Sequence, residues 1–143
     1  MSRKASWDAA PYDGRMGDDG EAPAFDPIAD GIRLFNEGYF FEAHEVLEDV
    51  WRVERGEPRL FLQGLIQVCA GYHHFQNGNF VGAITLLERG ADKMRRYPPR
   101  YLGIDAAALI AHIDGDRTRL EAVQRGQTGA TTLAFPRIER QRE

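Results

Sequence analysis

A chain of 143 residues, 43% hydrophobic and 10% aromatic, is one domain's worth of material with enough apolar side chains for a single core. Its formal net charge of -4 gathers at the front, where residues 1–30 hold seven acids against three bases; this speaks against a dedicated nucleic-acid binder. No run approaches the ~18 consecutive apolar residues of a membrane span, the N-terminus shows no apolar signal segment, and the single Cys69 excludes an intramolecular disulfide, so a cytoplasmic protein without membrane contact is expected.

Residues 1–25, with Gly14, Gly17, Gly20, Pro11 and Pro23 among many acids, read as a flexible acidic lead to a helical domain over 26–125. Asp26 and Pro27 have the residue types of an N-cap and a first helical position. Ile28, Ile32 and Phe35 then recur at helical spacing until Gly38. A second helix is predicted over Tyr39–Glu54, with Phe40, Ala43, Leu47, Val50 and Trp51 as its core stripe, and Gly56 and Pro58 after it. The third, about Arg59–Gln76, is apolar over most of its circumference, as a helix central to a bundle would be. Cys69 falls in this run and reads as a buried, inert thiol.

Asn77-Gly78 closes the third helix and Asn79 is placed to cap a fourth, about Phe80–Arg96, with Ala83, Leu86, Leu87, Gly90 and Met94 inward. Tyr97-Pro98-Pro99 stops it. Two short helices are predicted beyond, over residues 105–113 with Asp105 as cap and around 117–123, with His112 facing solvent. Residues 126–143 form a polar tail in which Leu133, Phe135 and Ile138 suit an extended strap; a disordered tail is the alternative.

The sequence from Phe35 lines up forty residues later with that from Phe75: Gly38 with Gly78, Phe40 with Phe80, Ala43 with Ala83, Leu47 with Leu87, Glu48 with Glu88. Each copy is a helix end, a glycine turn and a helix with Ala at its close-contact position, a pattern that resembles tetratricopeptide-type hairpins. Two copies fall short of the roughly three that a solenoid needs. The expected fold is therefore all-α, a compact bundle of about five to six helices built on two such hairpins.

Successive helical side chains lie about 100° apart. Gln63, Gln67 and His74 then share one stripe of the third helix, while His44 and Glu48, four apart, share a face of the second. Glu45 points farther round, and His73 about 100° away from His74. Short hairpins make the two helices antiparallel neighbours, which sets His44 and Glu48 against the Gln67–His74 stripe.

Several readings stay open. The polar groups can form a structural hydrogen-bond network that fixes helix register in a binding or interaction module. His44, Glu48 and His74 can instead bind a divalent transition metal (zinc, iron or manganese) in a metal-binding protein or metal-dependent enzyme. The same groups can also line a small-molecule pocket. A homodimer through an exposed aromatic face including Tyr39 and Phe41 is a further reading. Ser2 and Ser6 are the only serines, Cys69 points away from the polar stripe, and no phosphate-cradling glycine loop follows a strand. Nothing here names a substrate.

The run from Phe35 to Trp51, with its Glu42-Ala43-His44-Glu45 core, the block Gln63-Gly64-Leu65-Ile66-Gln67 continuing to Tyr72-His73-His74, and the block from Gly78-Asn79-Phe80 to Gly90 together resemble a bacterial and archaeal family of short proteins catalogued as a domain of unknown function. The resemblance covers about residues 28 to 97 and implies an all-α fold of about five helices, without a settled biochemical role. By position it makes Glu42, His44, Glu45, Glu48, Gln63, Gln67, His73 and His74 the characteristic polar residues, and all are kept. The acidic front and the Arg-rich end depart from it.

Overall fold

Asp26 opens the first helix as its residue type predicts: one carboxylate oxygen accepts from the backbone N–H groups of Ile28 and Ala29 (3.1 and 3.2 Å), and Pro27 gives up no hydrogen bond at the first position. The computed structural model describes residues 26–129 and 132–141, so the lead 1–25 lies outside the described residues. Five helices follow in order: α1 (Pro27–Asn36), α2 (Phe40–Val53), α3 (Pro58–Gln76), α4 (Phe80–Met94) and α5 (Ala106–Gln124). A short antiparallel hairpin, β1 (Arg100–Tyr101) and β2 (Ile104–Asp105), sits between α4 and α5. Among the described residues no helix is long and apolar enough to cross a membrane.

The forty-residue repeat is visible as two equivalent hairpins, α1–α2 and α3–α4. Gly38 and Gly78 take φ of +85° and +81°, the left-handed conformation that ends a helix cheaply only at glycine. Around each the same two bonds close the turn: Gly38 N–H to Phe35 O and Tyr39 N–H to Leu34 O (3.0 and 2.9 Å), then Gly78 N–H to Phe75 O and Asn79 N–H to His74 O (3.0 and 2.8 Å). Asn79 also caps α4, accepting from Gly82 N–H at 2.9 Å.

Each helix packs on its successor, which leaves α3 between α2 and α4 and buries Phe61, Leu62, Leu65, Val68, Cys69 and Tyr72 along most of its length. Burial pushes the Cys69 thiol well above its ordinary range, as an inert core thiol requires. The start of α3 has no side-chain cap of its own. Tyr97 supplies one from 36 residues further along the chain: its hydroxyl accepts from Phe61 N–H (3.0 Å) and donates to Glu57 O (2.7 Å), so one otherwise orphaned helical donor is satisfied.

Two expectations need correction. Residues 105–124 form one continuous helix, capped by Asp105, and not two short ones. Gly115 costs only about 1 kcal/mol in a helix interior. Ile113, Asp116 and Leu120 are buried at three- and four-residue spacing across it. His112 faces solvent only in part: it is half-buried, and its Nε2 hydrogen-bonds the carbonyl of Ala134. The β-hairpin was not expected. Its two turn residues, Leu102 (φ 55°) and Gly103 (φ 77°), are both left-handed, and a leucine at such a position carries no turn signal.

Residues 132–141 run extended over the body. Phe135 meets the rings of Phe40, Tyr72 and Phe75 edge-on (centroids 5.0, 5.4 and 5.8 Å), and Ile138 is buried in the core.

Candidate functional site

The turn at Gly38 starts α2 with Phe40 aimed inward, which leaves Phe41 on the outer edge, 44% exposed. One turn later His44 stacks beneath the Phe41 ring (6.0 Å, 15° between planes). From α3, His73 also meets the Phe41 ring (5.2 Å), and His74 lies next to His73. Phe41, His44, Ala70, His73 and His74 together line a cavity of about 240 Å³, with the methyl of Ala70 leaving the space open. A second, shallower groove of about 510 Å³ lies across the same two rings, bounded by Gly38, Tyr39, Phe40, Glu42 and Gln76 as well as Phe41 and His73. The rings at 44 and 74 therefore do open onto one space between the two helices.

The polar atoms there are not all satisfied. Asn79 has its carbonyl oxygen committed to the α4 cap, so its NH₂ faces His74 Nδ1 (3.2 Å) and the imidazole accepts. The neutral His74 ring then carries its hydrogen on Nε2. A helix cap thus sets the tautomer of a cavity histidine. His73 Nε2 pairs with the Asn77 amide (3.2 Å) on the same side. By contrast His44 Nδ1 is buried with no hydrogen-bond partner among the described residues, and so is Gln67 Oε1. Gln67 is one helical turn before Ala70 and two before His74, beyond the residues that line the cavity. Trp51 Nε1, farther along α2, is likewise buried without a partner, while the Arg59 guanidinium lies 4.0 Å over its ring.

The other sequence-selected residues are placed differently. Glu48 turns to Arg52 on its own helix (3.6 Å) at the surface. Glu45 and Gln63 are half-buried. Of the residues expected to hold a metal, Glu48 is drawn to an arginine and His74 Nδ1 to an amide. Among the described residues no three His, Cys, Asp or Glu side chains come together as a ligand set. Zinc sites of either kind need at least three protein ligands.

Sequence reasoning missed a second polar centre. Asp116, on α5, is fully buried; it accepts from the Tyr72 hydroxyl at 2.7 Å and from Arg119 Nη1 at 3.1 Å, with His112 Nε2 at 3.5 Å. Burial holds its carboxyl above the usual carboxylate range, against the opposing pull of Tyr72, His112 and Arg119. Burial, and then the Asp116 contact, push the Tyr72 hydroxyl up as well. A cavity of about 430 Å³ lies over this group, walled by His112, Gly115, Asp116 and Arg119 on one side and Thr132–Ala134 on the other. The only sequence signal was the spacing of His112, Asp116 and Arg119 on one helical face, and it was hidden by the expected helix break.

Fold and site together define a five-helix protein with two repeated hairpins and an aromatic, histidine-lined cavity between its second and third helices. Residues 28–86, from α1 to the first turns of α4, match the family described as Domain of unknown function (DUF309). An uncharacterized protein of Aquifex aeolicus (strain VF5) is 28% identical over 81 residues, which is 56% of this chain and 24% of the relative. The matched stretch thus spans about a quarter of that relative's length. Neither comparison carries a biochemical role.

Proposed function

We propose that the protein is a binding module whose α2–α3 cavity takes a planar heteroaromatic molecule. The observation that carries this reading is the convergence of three imidazoles and the Phe41 ring on one cavity of about 240 Å³ that also has the unpartnered His44 Nδ1 beside it. Ring faces favour a flat guest by offset stacking. A buried polar atom without a partner costs about 1–3 kcal/mol, which a guest with a hydrogen-bonding edge recovers. His44 Nδ1 suits a donor or an acceptor according to tautomer. Adenine and indole offer such edges and benzene does not. In this reading the module works in the cytoplasm.

Titration of the isotope-labelled protein with adenine, indole and benzene, followed by NMR, tests this. Saturable shifts at Phe41, His44, Ala70 and His74 are expected with adenine or indole. They should weaken at least tenfold in Phe41→Ala and be far smaller with benzene. Shifts confined to the α5 cavity, or none at millimolar guest, refute the assignment.

A further inference from the structure

The strap over residues 132–141 is held as a bound peptide is held. The side-chain amide of Asn36, at the end of α1, pairs with both backbone groups of Ile138: Nδ2–H to the carbonyl at 3.1 Å, and Ile138 N–H to Oδ1 at 2.7 Å. Such a clamp reads an extended backbone whatever its side chains. The edge of β2 adds strand-like pairing, Asp105 N–H to Glu139 O at 3.2 Å, and Gln141 N–H reaches Gly103 O at 2.7 Å beside it. This is strand addition, a common mode of peptide recognition. Specificity comes from two seats, the ring trio for Phe135 and a core position for Ile138, 2% exposed. Arg140 closes the far end with an ion pair to Asp26 (2.8 Å) and a bond to Leu102 O (3.0 Å).

The groups seen to hold the strap, in Asp26, α1, α2, α3, the hairpin and His112 of α5, all precede it in the chain, and residues 125–131 link it to α5. The cis path doubles back. Ala134 sits on His112, twelve residues before the end of α5, or roughly 18 Å along the helix. We infer that this groove accepts the strap of a second copy, so that two chains exchange their C-terminal straps reciprocally. Every strap contact is the same in trans as in cis, and a two-fold exchange closes on itself without leaving a groove empty. The inference does not depend on the heteroaromatic pocket.

Linker length makes the test. From Gln124 to Ala134 there are ten steps; removing residues 126–130 leaves five, which extend to at most roughly 18 Å with nothing left for the turn back. The otherwise full chain lacking 126–130 should run at twice the monomer mass in sedimentation at micromolar concentration. The same deletion with Ile138→Asp should be monomeric. A deleted chain that stays monomeric with its helical circular dichroism intact overturns the inference.

A second measurement holds if the deletion does not fold. Burying a carboxylate at position 138 should undock the strap of full-length Ile138→Asp, and a labelled synthetic peptide of residues 132–141 should bind that chain saturably in fluorescence anisotropy. That peptide should bind at least tenfold more weakly when it carries Ile138→Asp, or when the acceptor is the native chain. No binding to the Ile138→Asp chain also overturns the inference. Peptide binding by a chain that remains monomeric after the linker deletion overturns the second copy as partner.

Discussion

Helix α3 shows two opposite ways to meet a neighbour. Toward α4 the backbones nearly touch: a Cβ on Gly64 would lie 2.7 Å from Gly90 O, and one on Gly90 would lie 2.5 Å from Gly64 O. Toward α2 the face carries half-buried histidines, a buried glutamine oxygen without a partner and a cavity. Where α4 has Gly90 and Ala91, α2 has Val50 and Trp51 at the matching positions of the repeat, so α2 offers no glycine there for an approach of the Gly64–Gly90 kind. The seam inside the second hairpin is packed for stability, and the seam between the two hairpins leaves room for a guest. A seam that forfeits packing and hydrogen bonds is weakly stabilising by the same physics that makes it a binding surface.

The largest effect should come from crowding the closed seam. Gly90→Val drives a branched side chain into Gly64 O and Val68. It should cost about 3 kcal/mol, the upper part of the overpacking range, read as a lower urea midpoint. The matching change on the open seam, Ala70→Val, should stay within about 1 kcal/mol because the added methyls enter existing space. Equal losses from the two would erase the distinction.

Asp116 should come next. Asp116→Ala leaves the buried Tyr72 hydroxyl without its acceptor and should cost about 1–3 kcal/mol. The pH dependence has a definite sign. A carboxyl whose pKa is raised in the folded state favours folding when protonated, so its contribution is full below the unfolded carboxylate value and is lost as pH climbs through the folded value. Asp116→Asn cannot titrate and keeps an acceptor for Tyr72. Its stability relative to the native chain should therefore improve between pH 4 and pH 7 in parallel denaturation curves. A gap that stays constant over that range rules out the raised pKa.

Asn79→Ala removes the α4 cap and should cost about 1 kcal/mol. It should also shift the ¹⁵N resonances of His74, since the amide that holds its tautomer is gone. The smallest change is expected at His44. His44→Leu replaces an imidazole whose buried Nδ1 has no partner, so stability should move by less than about 1 kcal/mol, or rise, while guest binding falls. A loss of several kcal/mol would show that His44 is a structural residue. Added zinc, iron or manganese should leave the melting temperature of the native chain unchanged, since occupied sites stabilise by linkage.

Much of the fold was legible because its signals are local. Asp26, Asn79 and Asp105 cap the helices their types and positions suggest, and Gly38 and Gly78 end helices as paired turns. Caps, glycine turns and the 3.6-residue period all act within about one helical turn, so a single strand of letters contains them. The cavity was half legible: periodicity turned His44 and His74 toward one seam, but it said nothing of Glu48 leaving for Arg52 or of Asn79 claiming His74.

What decided the rest acts between residues far apart in the chain. Tyr97 caps α3 from a distance of 36 residues, Tyr72 meets Asp116 across 44, and Asn36 clamps Ile138 across 102. No propensity encodes such pairs. Each exists because burial strips water from a polar group, and the group must then find whatever partner the packed helices bring within reach.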